Sequence, residues 1–251
     1  MEDNATALTG KTLLITGAAR RVGAVIAEHL HTAGMNLCLH YRSSFAAAQA
    51  LKERLEARRA DSVFLVQADL MEFPALENLV ERAYDRWGRL DVLINNASTF
   101  YPTPVGRITE AQWDDLLGSN LKAPLFLCQA AAPYLRAAAG SIVNIVDIHA
   151  ERPLKGYPVY SIAKAGLVML TKAMARELGP EVRVNGIAPG AILWPETEES
   201  EHTRALILDR TALKRRGSPE DIARTALFLV RDAAYVTGQI IAVDGGRSLS
   251  Q

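Results

Sequence analysis

The fold of this chain is decided near its start, where residues 13–23 read LLITGAARRVG. A short apolar run, as in a buried strand, enters a turn that contains glycine and passes directly into a helix-like stretch. Backbone N–H groups and the helix dipole at such a junction form a site for an anionic phosphate. Gly17 and Gly23 enclose Arg21, which stands where a middle glycine is common. The spacing alone would also fit a structural turn, but its place after the first strand favours a nucleotide site.

Short apolar runs alternate with longer amphipathic ones along the rest of the chain, which predicts a parallel sheet wrapped by helices. Strands are predicted near Thr12–Thr16, Asn36–His40, Ser62–Gln67, Val92–Asn95, Ser141–Val146, Arg183–Ile187 and Gln239–Val243. Helices are predicted near Val22–Ala33, Phe45–Ala57, Pro74–Trp87, Glu110–Ala139, Tyr157–Glu177 and Pro219–Val230. The predicted fold is a single-domain α/β Rossmann-type doubly wound parallel sheet over residues 1–251, with about seven strands and helices on both faces. Gly190–Gly217, with Trp194 and an acidic run, is predicted to be a substrate loop.

Composition excludes several classes of protein. Lysine plus arginine equal aspartate plus glutamate at 28 each, so no net field would draw the chain to nucleic acid or a membrane surface. No apolar run reaches the about 20 residues that span a bilayer, and the acidic, polar start is unlike a signal peptide. Cys38 and Cys128 lie in apolar stretches and fit reduced core residues. We therefore expect a cytoplasmic protein with a small-molecule partner, no nucleic-acid or membrane partner, and no metal.

The end of the second strand predicts which dinucleotide the chain prefers. An acidic residue there would bind the ribose diol and select NAD, but residues 40–43 read HYRS. Arg42 can bind a 2′-phosphate through charge-assisted hydrogen bonds, so we predict NADPH as the cofactor. The alternative is a solvated loop arginine followed by a serine cap, Ser44, on the next helix. Asp69, after the third strand, could accept a hydrogen bond from the adenine amino group or cap the following helix.

A tyrosine and a lysine four residues apart predict a catalytic helix. Tyr160 and Lys164 lie on one face of a helix, where the ammonium favours the phenolate and makes the tyrosine a better proton donor or acceptor. Thirteen residues earlier, where a serine would help polarise a carbonyl oxygen, the chain has Asp147. A carboxyl group can hold or relay a proton, which suits a substrate that needs a proton on nitrogen. The same side chain could instead only cap the segment His149–Arg152.

A parallel sheet brings these separate segments together. Ligands bind beyond the carboxyl ends of the strands, where residues 95–102, Asp147 and the helix with Tyr160 are all expected. Asn120, inside the long fourth predicted helix, is a polar residue in an apolar setting. It is a candidate for the same crevice, and a surface position on the helix is the alternative.

Over essentially its whole length the chain resembles the short-chain dehydrogenase/reductase family, in residues 16–23, 95–97, 120, 160–164 and 189–190. The resemblance implies Tyr160 as the acid, Lys164 binding the ribose and lowering the tyrosine pKa, and Asn120 supporting a proton-relay water. It also implies a homotetramer paired through the two long helices that carry Asn120 and Tyr160. The cofactor-binding residues so expected are Gly17, Arg20, Arg21, Val22, Gly23, His40, Tyr41, Arg42, Ser43, Asp69, Leu70, Asn96, Ala97, Ser98, Tyr160, Lys164, Pro189, Gly190 and Ile192.

Within that superfamily the chain is similar to pteridine reductases at the arginine-containing turn, at residues 40–43, at residues 95–104 and at Asp147. By this resemblance Phe100 would stack on a pterin ring, and the alternative is core packing beneath a proline-rich loop. The ring fits such a slot because offset stacking contributes about 0.5–1.5 kcal/mol beyond burial. The substrate-binding residues so expected are Arg21, Ser98, Phe100, Asp147, Tyr160 and Trp194.

The predicted function is the NADPH-dependent reduction of dihydropterins, with dihydrofolate as a further substrate. A second hypothesis is a carbonyl reductase that acts on 3-oxoacyl thioesters or sugars. A third, from a different class, is a redox-inactive NADP-binding regulator, against which the intact Tyr160–Lys164 pair argues because a regulator has no need of the acid.

Overall fold

In the computed structural model, which describes residues 8–193 and 201–249, seven parallel strands form one sheet. The strands are β1 (Thr12–Ile15), β2 (Asn36–Tyr41), β3 (Val63–Gln67), β4 (Val92–Asn95), β5 (Ser141–Ile145), β6 (Arg183–Pro189) and β7 (Ile240–Val243). Their order across the sheet is β3-β2-β1-β4-β5-β6-β7. The first strand therefore lies inside the sheet, β2 and β3 extend the sheet on one side of it, and β4 pairs with its other side. Leu13 of β1 accordingly pairs with both Leu37 of β2 and Val92 of β4.

Helices connect the strands and cover both faces of the sheet. They are α1 (Arg21–Thr32), α2 (Phe45–Glu56), α3 (Phe73–Asp85), α4 (Glu110–Leu117), α5 (Ala123–Ala137), α6 (Pro158–Leu178), α7 (Glu201–Asp209) and α8 (Pro219–Arg231). Short 3-10 turns lie at Ile148–Ala150 and Arg247–Leu249. The predicted fold class is confirmed.

The first strand shows how the sequence produces a sheet that is buried on both faces. Successive side chains of a strand point to opposite faces. Leu13 and Ile15 accordingly pack into the core shared with α1 and α8, while Leu14 packs into the core shared with α3 and α5. All three side chains are fully buried. A strand buried on both faces has a continuous apolar run rather than an alternating one.

The predicted single helix Glu110–Ala139 is wrong, because a π-helical turn at Gly118–Lys122 separates α4 from α5. Two features favour the wider turn. The side chain of Asn120 donates to the carbonyl of Leu116 at 2.9 Å, and Pro124 has no N–H for the α-helical bond to residue 120. Gly118 also lies where a Cβ would be 2.3 Å from Cε of Met71.

The segment Gly190–Gly217 also differs from the prediction of a loop, because α7 lies within it. Thr203 and Ile207, one helical turn apart, line the same cavity. After α7 the chain is attached to the C-terminal turn, where the N–H of Leu213 donates to the carbonyl of Gly245 at 3.0 Å. The described part of this segment therefore contains a helix and forms part of the cavity wall.

Candidate active site

A cavity of about 1090 Å³ opens beyond the carboxyl ends of the strands, around the point where β1 and β4 part the two halves of the sheet. Every residue that was predicted to bind the cofactor lines it, and so do the predicted substrate-binding residues that the structure describes. Asn120 does not line it. Trp194 lies outside the described residues.

The turn between β1 and α1 is tightly folded around two glycines. Gly17 has a φ of +62°, and a Cβ at Gly23 would be 2.6 Å from the carbonyl oxygen of Gly17. Arg21 also lies in the left-handed region, with a φ of +55°. For a residue with a side chain this conformation costs about 1–2 kcal/mol. The glycine that is common at this position would avoid that cost, so the arginine is held there by the surrounding fold.

Two polar side chains brace this turn. The N–H of Gly17 donates to Nδ1 of His40 at 3.2 Å, and Nε2 of His40 lies 3.0 Å from the carbonyl of Ala68. An Nδ1 that accepts requires the proton on Nε2, which fixes a neutral tautomer. Burial lowers the pKa of His40 and favours the same form. From the other side, Asn96 donates to the carbonyls of Thr16 at 2.8 Å and Gly17 at 3.0 Å.

The adenosine end of the predicted site carries Arg42 and Ser43 on the cavity wall. Ser44 occupies the N-cap position of α2, but its side chain makes no capping hydrogen bond. The cap interpretation of this serine is therefore wrong. Asp69 lines the cavity and also accepts a hydrogen bond from the N–H of Met71 at 3.0 Å, which closes the turn before α3.

Tyr160 on α6 and Asp147 at the end of β5 contact each other directly. The Tyr160 hydroxyl donates to Oδ2 of Asp147 over 2.8 Å. The other carboxylate oxygen, Oδ1, accepts from the backbone N–H of His149, also at 2.8 Å. Asp147 thus caps the short turn after β5 and holds the tyrosine hydroxyl at the same time.

Lys164 does not act on Tyr160 as expected. Its Nζ donates to the carbonyl of Ile145 at 2.9 Å and lies 5.7 Å from the centroid of the Tyr160 ring. Burial lowers the pKa of Lys164 to about 8, while Asp147 opposes this shift. Burial and then the carboxylate of Asp147 raise the pKa of Tyr160 well above its usual value. The expected lowering of the tyrosine pKa is therefore not found, because desolvation and a neighbouring negative charge act in the opposite direction.

Asn120 is fully buried, so the alternative of a surface position is wrong. Its Nδ2 donates to the carbonyl of Thr99 at 3.0 Å, and its Oδ1 accepts from the hydroxyl of Ser98 at 2.6 Å. The side chain thus fixes the loop after β4 and orients Ser98, which lines the cavity. The hydroxyl of Ser98 favours a lower pKa of Tyr160, against the larger effects of burial and Asp147.

Phe100 stands at the cavity wall with 48% of its surface exposed. Its ring stacks on Tyr157, with centroids 4.6 Å apart and planes 11° apart. It also meets the ring of Tyr160 at 4.8 Å and 78°. The alternative of simple core packing is wrong, since the ring is half exposed. Tyr157 was not predicted as a site residue, and only its place one turn before the catalytic pair could have indicated it.

The far wall of the cavity was not predicted from the sequence. Thr203 and Ile207 come from α7, and Arg247 comes from the turn after β7. The sequence signal for Arg247 is weak, because an arginine after Gly245-Gly246 near the end of a chain is usually read as a solvated residue. Its position depends on β7 pairing beside β6.

The fold and the cavity together define a dinucleotide-dependent oxidoreductase, with a glycine-containing phosphate turn and a Tyr-x3-Lys helix at one crevice. A family model described as enoyl-(acyl carrier protein) reductase matches residues 17–248. The chain belongs to the short-chain dehydrogenase/reductase family and is an NAD(P)-dependent reductase.

Two kinds of named relative are similar over nearly their whole length. Pteridine reductase 1 of Leishmania tarentolae is 38% identical, over 98% of this chain and 99% of the relative. The 3-oxoacyl-[acyl-carrier-protein] reductase of Staphylococcus aureus is 36% identical, over 94% of this chain and 97% of the relative. A 3-oxoacyl-[acyl-carrier-protein] reductase of Synechocystis is also 36% identical, over 96% and 98%.

Among the described residues, no group of three or more His, Cys, Asp or Glu side chains is placed to hold a metal ion. None of the described helices combines the length and the apolar character needed to cross a membrane.

Proposed function

We propose that this protein reduces dihydropterins with NADPH. The observation that carries the proposal is the hydrogen bond between Tyr160 and Asp147, which places a phenol and a carboxylate together at the cavity. A ketone needs only polarisation and one proton on oxygen, for which a serine is the usual partner of the tyrosine. A C=N bond needs a proton on nitrogen, which an acid pair can deliver.

The residues present fit a dinucleotide. The left-handed backbone at Gly17 and the close approach at Gly23 leave the turn compact, so that backbone N–H groups can face a phosphate. Arg42 and Ser43 would hold a 2′-phosphate, and Lys164 would bind the ribose. When bound, NADPH supplies the hydride.

The proton would come from Asp147 and Tyr160 acting as one coupled unit. Because the pKa of Tyr160 is raised, the hydroxyl keeps its proton at neutral pH and donates a hydrogen bond to Asp147. As hydride reaches the ring carbon, the pair passes one proton to the adjacent nitrogen, so that C=N becomes CH–NH. The pair then regains its proton from solvent. The positive charge of Lys164 reduces the free-energy cost of keeping the charged carboxylate of Asp147 in a buried site.

Phe100 would hold the pterin ring. One face of its ring is stacked on Tyr157, which fixes its orientation, and half of its surface stays exposed at the cavity. A flat heteroaromatic ring would stack there by offset packing. Ser98, oriented by Asn120, and Arg21 would meet the polar edge of the pterin.

The test is NADPH oxidation with dihydrobiopterin, dihydromonapterin, dihydrofolate and a 3-oxoacyl thioester, assayed side by side. We expect turnover of at least one pterin at a kcat/KM well above that for the thioester. Turnover of the thioester without any pterin would replace the proposal by the carbonyl reductase that the bacterial relatives' names suggest. Tight NADPH binding with no turnover of any substrate would instead favour a regulator.

A homotetramer in the cytoplasm remains part of the proposal. Leu125 on α5, and Ile162 and Met169 on α6, are apolar and exposed in the single chain. These helices are the expected pairing surface, because a symmetric interface would bury the same apolar face on both copies. Light scattering of the purified protein measures the mass directly.

A further inference from the structure

We infer that Arg247 is a specificity-determining residue that binds a carboxylate on the side chain of the pterin substrate. The inference rests on the proposed function and deepens it, because it selects dihydrofolate-like substrates over pterins with an uncharged side chain. It starts from the charge of the cavity. Among the residues that the structure describes, five lysine or arginine side chains line the cavity, against two carboxylates.

Four of these five cations already have a place in the proposed function. Arg20 and Arg21 belong to the phosphate turn, Arg42 follows β2, and buried Lys164 stands beside the catalytic tyrosine. Arg247 is the fifth, and it comes from the opposite end of the sheet. In the strand order, β7 lies two positions beyond β5, the strand that precedes Asp147, and so about 10 Å farther from the phosphate turn. Arg247 thus lines the cavity from the edge of the sheet beyond Asp147, on the side away from the phosphate turn.

The turn that carries Arg247 is rigidly built. Asp244 accepts hydrogen bonds from the N–H of Gly246 at 2.9 Å and of Ser248 at 2.7 Å, one on each carboxylate oxygen. These bonds lower the pKa of Asp244 against the opposing effect of burial. Because both carboxylate oxygens of Asp244 accept from backbone N–H groups on either side of Arg247, the turn is fixed by its own hydrogen bonds. A binding residue on a fixed backbone loses less conformational freedom when it meets its ligand.

The surroundings of Arg247 suit a long substrate side chain. Ile192 and Leu193 after β6, with Thr203 and Ile207 on α7, form a mainly apolar wall on the same cavity. Glu201, at the start of α7, is exposed and is not among the lining residues. An aromatic amide that ends in a carboxylate, as in dihydrofolate, could lie along this wall with its charge at the guanidinium. Arginine binds carboxylates in a bidentate geometry that lysine cannot reproduce.

The experiment compares kcat/KM for dihydrofolate and dihydrobiopterin in the parent, Arg247→Gln and Arg247→Lys. Arg224→Gln, at an exposed arginine of α8 outside the cavity, is the matched control. We expect the dihydrofolate to dihydrobiopterin ratio to fall about tenfold or more in Arg247→Gln, through KM, with a partial return in Arg247→Lys. Arg224→Gln should keep the parent ratio. Melting temperatures of all variants show whether the fold is retained.

Other results would overturn the inference. Arg247 would have a different role if Arg247→Gln left the ratio of the two kcat/KM values unchanged or lowered both values equally. The same conclusion would follow if only the KM for NADPH rose. Calorimetric binding of folate and biopterin to the NADP⁺ complex separates this inference from the proposed function. Absence of turnover with both pterins would overturn the proposed function, while folate binding that weakens in Arg247→Gln would still support the contact. Absence of folate binding to the parent would overturn the contact as well.

Discussion

The hydroxyl of Tyr160 donates its hydrogen bond to Asp147, 2.8 Å away, and not to any group of Lys164. Of these two charged side chains, Asp147 and not Lys164 shifts the pKa of Tyr160. Burial of the phenol and then the negative charge of Asp147 raise the pKa of Tyr160, so the hydroxyl keeps its proton at neutral pH. In the proposed function, this relationship makes residue 147 the position that decides substrate choice.

Replacing Asp147 by serine should retain the fold and cofactor binding and lose most of the turnover of dihydropterins. The serine hydroxyl can still cap the turn after β5, but it cannot hold or relay a proton as a carboxyl group does. We expect kcat with dihydropterin to fall by about 10²–10⁴-fold. NADPH affinity, measured by fluorescence titration, should stay within about twofold.

The control for this substitution is Asp147→Asn, which keeps a hydrogen-bond acceptor for Tyr160 and removes the charge. It should lose turnover as well, because the carboxyl and not only the hydrogen bond is required. If Asp147→Ser reduces pterins at the parent rate, the acid pair has no part in the reaction.

Phe100→Ala should weaken pterin binding far more than NADPH binding. The ring offers its exposed surface at the cavity, and its loss removes both the stacking partner and buried area. We expect KM for dihydropterin to rise about tenfold. Val105→Ala, at an exposed apolar residue of the same loop outside the cavity, is the control and should leave both constants unchanged. Equal weakening of pterin and NADPH binding would mean that Phe100 is structural.

Arg42→Ala should raise the apparent constant for NADPH by about tenfold or more and leave the constant for NADH unchanged. The loss of one charge-assisted contact to a 2′-phosphate accounts for this difference. Arg58→Ala, at an exposed arginine just after α2 and outside the cavity, is the matched control. A parallel change for both dinucleotides would place the 2′-phosphate contact elsewhere.

Arg21→Gly should separate backbone strain from binding. Glycine adopts a positive φ without the steric cost that the arginine bears, and this gain exceeds the entropy that glycine loses on folding. We expect the free energy of unfolding to rise by about 0.5–1 kcal/mol in urea titrations, while NADPH affinity falls. Arg21→Ala removes the same charge but keeps a Cβ in the left-handed region, so it should bind NADPH as weakly without the gain in stability. Equal stability of the two variants would argue against strain at this position.

The fold could be predicted because its signals are local. Leu13, Leu14 and Ile15 form one apolar run, and the glycine turn after them ends the strand wherever it lies in space. Tyr160 and Lys164 are likewise related by helical spacing alone. The turn at Asn120 was harder to predict, because its side-chain amide donates both to the carbonyl of Leu116 in the same helix and to that of Thr99, 21 residues earlier, and the second contact depends on tertiary packing.

The site was harder to predict where its chemistry depends on burial. The pKa of Tyr160 follows from the depth of the phenol and the orientation of Asp147, and neither can be read from spacing. Tyr157 and Arg247 reach the cavity only through tertiary packing. The preference for NADPH, by contrast, rests on the identity of the residues that follow β2, and it stays a prediction.

His31 predicts how stability depends on pH. The ring is buried between α1 and the start of β3, with Nε2 2.8 Å from the hydroxyl of Ser62, and burial lowers its pKa to about 4. Between pH 4 and 6.5 the unfolded chain binds a proton that the folded chain excludes. The stability from neutral His31 is therefore complete above pH 6.5 and is lost as the pH falls towards 4, with a slope of at most about 1.4 kcal/mol per pH unit.

His31→Gln keeps a donor for Ser62 and cannot titrate. Urea unfolding at several pH values between 4 and 7 should therefore show a shallower fall in stability for this variant than for the parent. Identical pH profiles for parent and variant would show that His31 titrates alike in the folded and unfolded chain.

The two ends of the cavity come from segments that are far apart along the chain and are therefore synthesised at different times. The phosphate turn and its two braces, His40 and Asn96, emerge within the first hundred residues, and β4 then locks beside β1. The wall with α7 and Arg247 can close only after β7, the last strand to emerge, has paired with β6. The residues that brace the phosphate turn are thus synthesised well before those that form the far wall of the cavity, so the two ends of the cavity are completed at different stages of synthesis.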